Sequence, residues 1–311
     1  MTMSLDQVRV VDPILSDHAR GYTNADFIGH RLLPTVDMPA RAAKRIEFNR
    51  DSFKRYQTRR APGANIGAVS FGYEGKPVGL TQHALMAITP VEHQEEAQAA
   101  SAPGIDLQKE NVDLVLYVIA QEKEIAQAEM VRNAALYAAS NKLALAGGDK
   151  WSDEDSDPLT VVSDAKEVVR RRTGRRPNTL AIGGSVAATL KKHPRIREHF
   201  KHTTSASVTE AMLAAYLDVP ELLIGDAIYD QADGTTVDVW GGDAVLAFVP
   251  PAGQRNMRLP SFGYTYQLRG HPFVEGVRWD GDIRSWKNNV FDEYSPELVG
   301  ADAGFLIQGA V

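Results

Sequence analysis

The sequence predicts an α+β protein in which a long helix separates a core-poor leading segment from a compact α/β body and a strand-rich end. Three observations predict it. Residues 106–146 contain neither Gly nor Pro and are rich in Ala, Leu, Glu, Gln and Lys, all good helix formers. Residues 151–260 alternate between helix-like and strand-like runs, as layered α/β bodies do. Residues 261–311 are dominated by strand-like runs such as YTYQLRG, FVEGVRWD and GFLIQGAV.

Taken in order, residues 1–40 lack helical periodicity and are punctuated at Pro13, Gly21, Gly29, Pro34 and Pro39. They predict an extended arm with short elements such as Phe27 to Leu33, and an arm this long needs something else to lie on. Residues 44–90 predict a two-armed excursion. KRIEFNRDSFKRYQTRR runs out, APGAN (Ala61–Asn65) turns, and a glycine-rich stretch carrying Phe71 and Tyr73 returns. A charged, glycine-containing hairpin is not stable alone in water, so it is expected to reach onto another body.

Over 106–146, Asp106 is placed to cap a helix and Gly147-Gly148 to end it. Val115, Val118, Ile119, Ile125, Leu136, Ala139 and Leu143 recur at helical spacing, and such a spine would be ~60 Å long. After the acidic loop WSDEDSDP come helix VSDAKEVVRRRTG, buried strand NTLAIGG, helix SVAATLKKHPRIREHF, helix TEAMLAAYLDV, and strands in ELLIGDAIYD and TVDVWGGDAVLAFVP. The chain ends on an apolar strand, which requires a place in a sheet.

Composition limits what this architecture can do. Of 311 residues, 43% are hydrophobic and 24% charged, enough for one large domain or two smaller ones with real cores. No apolar run approaches the ~18 residues of a membrane span, and MTMSLDQVRVVDPIL has no signal-peptide pattern, so a cytoplasmic protein with no membrane partner is expected. The absence of cysteine excludes disulfides, thiolate nucleophiles and zinc–thiolate sites. The net charge of −6 argues against a protein whose main task is gripping nucleic acid. Charge is uneven, however. Arg41, Lys44, Arg45, Arg50, Lys54, Arg55, Arg59 and Arg60 stand against only Glu47 and Asp51, so residues 41–60 carry +6 and the remainder −12. A basic segment on an acidic body can bind polyanion or dock on the acidic body of another copy.

A search for catalytic chemistry finds little. There is neither a dinucleotide-binding glycine pattern nor a phosphate loop. Ile182-Gly183-Gly184-Ser185 comes nearest, and without a lysine it reads as a plain strand-to-helix turn. His193, His199 and His202 do not match a zinc-binding helix and read as surface residues at a helix end, as do the isolated His83 and His93. Asp153–Asp157 lacks the glycine and terminal glutamate of a calcium loop. Arg170–Arg172 with Arg175 and Arg176 read as helix-end cations suited to the dipole, ahead of a nucleic-acid patch. No G-x-S-x-G elbow presents a serine, and no cofactor or metal is expected.

The order of parts resembles the HK97-like capsid fold shared by the shells of tailed phages and encapsulins. DFIGHRLLPTVDMPARAAKRIEFNRDSF is similar to the family's arm leading into its extended loop. LTQHALMAITPVEHQEEAQAA and TGRRPNTLAIGGSVAATLKKHPRI resemble the segments before and after its spine, and ELVGADAGFLIQGAV resembles its closing strand. The resemblance covers nearly the whole chain and implies a partition: an N-terminal arm at 1–44, an extended loop at 45–82, and a peripheral domain at 83–150 with a spine helix at 106–146. An axial domain at 151–260 and a return to the peripheral domain at 261–311 complete it. It implies a structural protein rather than an enzyme, with the eight cations of residues 41–60 at inter-subunit contacts. The partners implied are further copies in hexamers and pentamers, a scaffolding protein, a portal, a decoration protein, and packaged double-stranded DNA held non-specifically in the lumen. No long helical scaffold segment precedes the arm, so scaffolding is expected from a separate protein or from a segment already removed. Some members cross-link Lys to Asn between subunits. Lys54 or Lys76 with Asn288 or Asn289 would be the partners, but non-covalent assembly is expected. The alternatives are an encapsulin-like compartment shell, a soluble α/β enzyme using residues 151–260 and, last, a nucleic-acid-binding module.

Overall fold

The computed structural model describes residues 12–22, 24, 26–48, 59, 73–99, 107–201, 208–252 and 261–311. Contrary to the extended reading of residues 1–40, the arm contains a helix, α1 (Pro13–Gly21). Pro13 occupies its first turn, where no backbone donor is needed, and the Asp12 carboxylate accepts from Leu15 N at 3.0 Å. The arm lies on its own chain: buried Ser16 donates to Val274 O at 3.2 Å and accepts from Val274 N at 3.1 Å. A short helix, α2 (Gly29–Leu32), and strand β1 (Thr35–Met38) follow.

The two-armed excursion is present as a ribbon of β2 (Ala42–Phe48) and β3 (Tyr73–Gly79), paired antiparallel from Ala42↔Gly79 to Phe48↔Tyr73. The turn at Ala61–Asn65 lies outside the described residues. Strand β4 (Thr81–Pro90) and helix α3 (Val91–Ala99) lead to the spine, α4 (Leu107–Arg132). Asp106, the expected cap, lies outside the described residues.

The spine is shorter than the sequence predicts, 26 residues or ~39 Å. It ends at Asn133 rather than at Gly147-Gly148. Asn133 leaves the helical region and its side chain accepts from Ala135 N at 3.0 Å, offering the backbone a local alternative to the next helical turn. The chain then passes through two 3-10 turns into β5 (Lys142–Ala144). The expected apolar stripe is met only in part, with Ile119 buried and Val115 and Ile125 half-buried against the cores. Val112, Leu116, Ile119, Ala128 and Val131 are buried, whereas Val118, Leu136 and Leu143 are exposed.

In the α/β body, α5 (Pro158–Thr173) starts under the Asp157 cap and stops at the left-handed Gly174. Fully buried β6 (Thr179–Gly183) leads into α6 (Gly184–Lys192), and Pro194 separates that helix from α7 (Pro194–Phe200). Helix α8 (Glu210–Tyr216) precedes β7 (Glu221–Gly225), the small hairpin β8 (Ile228–Asp230) with β9 (Thr236–Asp238), and buried β10 (Ala244–Ala247).

The return contributes β11 (Gly263–Leu268), β12 (Phe273–Val274), β13 (Arg278–Asp280) and the long β14 (Ser285–Leu298). One sheet centres on β14, with β4 along one side, β11, β12 and β13 in turn along the other, and β1 parallel to β11. The spine packs on its inner face through Val112, Leu116 and Ile119 against Ala87, Val290 and Tyr294. The last strand, β15 (Gly304–Gln308), does not stay with the other return strands. It lies between β5 and β10 in the five-stranded sheet of order β5-β15-β10-β6-β7. Phe305, Leu306 and Ile307 are all buried, so the strand needs a sheet covered on both faces, and only a central place in the α/β body supplies it.

The early end of the spine can be checked by denaturant unfolding of the purified chain. Leu116→Ala should cost ~2–5 kcal/mol, while Leu136→Ser and Leu143→Ser should each stay within ~0.5 kcal/mol.

Candidate assembly surfaces

The polar interior holds two hubs. At the first, Glu124 of the spine is 2% exposed and gathers three separate parts of the chain. Its Oε1 accepts from Ile28 N at 2.9 Å and from the indole Nε1 of Trp240 at 2.7 Å, and its Oε2 accepts from Gly29 N at 2.9 Å. Gly29 is required by this approach, because a Cβ there would lie 2.6 Å from Glu124 Oε2 and 2.1 Å from Gln127 Oε1. Gln127, one helical turn on, donates to Thr265 Oγ1 at 2.7 Å, and Thr265 donates to Leu33 O at 3.1 Å. Burial raises the Glu124 pKa above the ordinary glutamate value, against the three donors that favour its ionised form.

At the second hub, β14 presents successive acids to opposite faces. Asp292 faces the spine, accepting from Gln267 Nε2 at 2.7 Å, with Lys123 Nζ at 3.9 Å from its Oδ2. Burial holds Lys123 below the ordinary lysine range, and its ammonium lies 4.9 Å from the Tyr294 ring. Glu293, on the other face, takes a two-pronged hydrogen bond from Arg41, Nε at 2.7 Å and Nη2 at 2.8 Å. A cavity of about 440 Å³ lies between the arm, the spine and the turn at Gly270-His271-Pro272.

The basic residues of the leading segment are not gathered into one described patch. Arg41 is held on Glu293 of its own chain, at the root of the ribbon. Lys44 is exposed, and Arg45 pairs through its backbone with Lys76. The side chains of Arg45, Arg50, Lys54, Arg55 and Arg60 lie outside the described residues, and Arg59 is described only as exposed. Val78, with Ala43 and Leu80, anchors the root of the ribbon against Met38, Tyr264 and Tyr266.

What the sequence does not reveal is a set of large apolar side chains left in solvent. Leu85, Met86 and Ile88 on β4, Leu114 and Tyr117 on α4, and Val277, Trp279 and Ile283 around β13 are each 40% exposed or more. Clusters of this kind mark surfaces that another molecule covers.

The candidate chemical sites stay structural. A Cβ on Gly184 would meet Asp226 Oδ1 at 2.2 Å, so the close approach of this carboxylate requires a glycine at that turn. His193 is not a surface residue as expected. It is 3% exposed, with Nε2 at 3.1 Å from both Ser156 Oγ and Asp153 O, tying the acidic loop to the helix break. Asp157 of that loop caps α5 and pairs with Arg195. Arg170 and Arg171 pair with Glu167, Arg172 with Asp302, and Arg175 stacks over Phe248, as helix-end cations do. His83 stacks on Tyr294 at 4.1 Å, and His202 lies outside the described residues. Asn288 is fully buried, and Asn289 donates to Glu275 at 2.9 Å. No cluster of three or more metal-ligating side chains, and no helix long and apolar enough to cross a membrane, occurs among the described residues.

A buried polar frame surrounded by uncovered apolar surface is the anatomy of a subunit, and the comparisons with known proteins say of what kind. The chain is 35% identical to the major capsid protein of Burkholderia phage BcepMu over 309 residues, covering 98% of each. It belongs to the major capsid protein family of phages. The family model described as phage major capsid protein E matches residues 136–283. A phage-related protein of Bordetella bronchiseptica RB50 superposes with a TM-score of 0.83 at 40% identity, covering 97% of this chain and 98% of that one. At the level of fold alone, the encapsulin of Synechococcus elongatus gives a TM-score of 0.55 at 12% identity, covering 99% of this chain and 91% of that one. The fold of this capsid protein is therefore HK97-like, and the protein is a structural shell component.

The Glu124 hub yields a mutational and a pH prediction. Glu124→Leu orphans three buried donors and should cost ~3 kcal/mol or more, and Gly29→Ala should disrupt the same contact. Because the folded-state pKa is raised, the folded chain holds that proton more tightly. The stability of wild type relative to Glu124→Gln should therefore be greatest below the ordinary value of 4.5 and fall as pH rises through the raised one. Denaturant midpoints measured across pH check this.

Proposed function

We propose that this chain is the self-assembling subunit of the icosahedral head of a tailed phage, forming hexamers and pentamers around packaged double-stranded DNA that it holds without sequence specificity. The observation that carries the reading is the ribbon. Its seven residue pairs run outward from a root where Val78, Ala43 and Leu80 pack against Met38, Tyr264 and Tyr266. A two-stranded ribbon is marginal by itself, and one that lies over a neighbour solves that problem for both. The acidic balance of the rest of the chain complements the +6 of residues 41–60, so Lys44, Arg45, Arg50, Lys54, Arg55, Arg59 and Arg60 are assigned to inter-subunit contact rather than to DNA, while Arg41, held on Glu293 of its own chain, sets the root from which they are presented.

In this reading residues 1–44 are the arm and 45–82 the extended loop, whose pairing already starts at Ala42. Residues 83–150 with the spine form the peripheral domain. The axial domain, 151–260, also takes β5 and β15 into its sheet. The rest of 261–311 returns to the peripheral sheet. The protein acts without catalysis. Assembly takes place in the host cytoplasm with a separate scaffolding protein, and portal and decoration proteins complete the virion.

Electron microscopy and sedimentation of the purified chain, alone and with its phage's scaffolding protein, test the proposal. Closed shells, or rings of five and six, are expected. A monomer or dimer under every condition would contradict it, and a lumen loaded with a protein through a short cargo peptide would favour a compartment shell instead. The shells should run as single chains on denaturing gels, since non-covalent contacts hold them. Reversing Lys44, Lys54 and Arg55 to Glu together should leave the chain folded and abolish assembly; loss of salt-sensitive DNA binding with assembly intact would refute the assignment of these cations.

A further inference from the structure

The hairpin of β13 and β14 places a tryptophan where the chain itself does not cover it. Trp151 and Trp240 are 0% and 2% exposed, as expected of large apolar side chains in cores, but Trp279 is 46% exposed. It packs across the strands on Trp286, ring centroids 4.9 Å apart and tilted by 60°, in the pair Trp279↔Trp286. Ile283, at the turn, is 49% exposed.

This apolar tip is not a loose loop. Lys287 pairs with Asp280, Asp282 N donates to Asp280 Oδ1 at 3.0 Å, and Ser285 Oγ donates to Ile283 O at 2.8 Å. The left-handed Arg284 (φ 45°) completes the turn, its carbonyl accepting from Val91 N at 3.1 Å and its guanidinium meeting Glu92 at 3.4 Å. The hairpin is thus tied to the start of α3 and presents its apolar side chains already ordered, which lowers the entropic cost of docking them.

Beside the tip is a recess. Val91, Gln94, Glu95, Gln108 and Trp286 line a cavity of about 280 Å³, below the range of small-molecule sites and of a size for protruding side chains. Knob and recess lie side by side on one chain, so a knob can enter a recess only on a second copy. Their charges match in that arrangement: Arg278 is exposed on the knob, and Glu95 and Glu96 are exposed beside the recess.

Resting on the reading of the chain as a shell subunit, we propose that Trp279 and Ile283 of one copy seat in the Trp286–Val91 recess of another, with Arg278 opposite Glu95. In the proposed shell the contact runs head to tail, knob of each copy into recess of the next, and it closes a ring where its rotation is five- or six-fold. It is separate from the ribbon contact and from the basic residues of 41–60.

The test uses the full chain, free and assembled. Trp279 is read by iodide quenching of fluorescence, with Trp279→Phe giving the background from the other three indoles. Assembly should remove most of the quenching that belongs to Trp279. Trp279→Ser and Arg278→Glu should leave the free chain's circular dichroism unchanged and raise the subunit concentration needed for shells by at least ~tenfold. The exchange Arg278→Glu with Glu95→Arg should restore it. Equal quenching of Trp279 in shells and free chain, or shells of both single variants forming at the wild-type concentration, would overturn the contact. If the wild type makes no shells, its sedimentation separates the two claims. Small oligomers lost in Arg278→Glu and regained in the exchange would support the contact and refute the shell, while a strict monomer at all concentrations would refute both.

Discussion

One carboxylate holds the subunit in register. Glu124 sits in the middle of the spine, and its two oxygens satisfy the backbone at Ile28 and Gly29 of the arm and the indole of Trp240 in the α/β body. Burying it costs several kcal/mol of hydration, and three hydrogen bonds to a charged acceptor return ~1.5–3 kcal/mol each. The balance is close, as the raised pKa reflects, so the main effect is on geometry. An apolar residue would pack on the spine at many angles. A carboxylate with three fixed donors admits one, which sets how the arm leaves for β1 and the root of the ribbon.

From that frame the division between finished and unfinished parts follows. The α/β body has its own core around Trp151, Leu180 and Leu246, and the spine covers the inner face of the sheet built on β14. Arg41, gripping Glu293, fixes the point at which the ribbon leaves the body. Beyond these points the chain leaves apolar side chains in water on β4, on the outer face of the spine and at the tip of β13–β14. On the proposed reading shell assembly covers these side chains, so stability within the chain and affinity between chains would be carried by different residues.

Much of this was legible in the sequence. The buried strands at 179–183 and 244–247 are continuous apolar runs, α5 is bounded by its own Asp157 cap and Gly174, and the ribbon is visible as charged and glycine-rich segments on either side of a turn. The failures have particular causes. Helix α1 is too short for a periodicity to register and rests on the Asp12 cap and on Ser16's bonds to Val274, 258 residues away. The sequence predicts too long a spine because helix propensity continues through Ala134 to Leu145, while the competing interaction is a single side-chain acceptor on Asn133. The destination of β15 and the partners of Glu124 are long-range facts. Glu124 nonetheless left a trace, as a carboxylate on the same helical face as Ala128 and Val131. The exposure of Trp279 left none, because a tryptophan in a strand normally reads as core.

Hydrogen exchange on the free chain and on assembled shells probes this division directly. The account predicts that in the free chain the amides of Ile28 and Gly29 exchange as slowly as those of central strand β10, because the hub opens only when the chain unfolds. The strands of the ribbon, β2 and β3, should exchange fast in the free chain and become protected only in shells. A free chain whose ribbon is already as protected as β10, or whose Ile28 and Gly29 amides exchange fast while β10 stays protected, would contradict it.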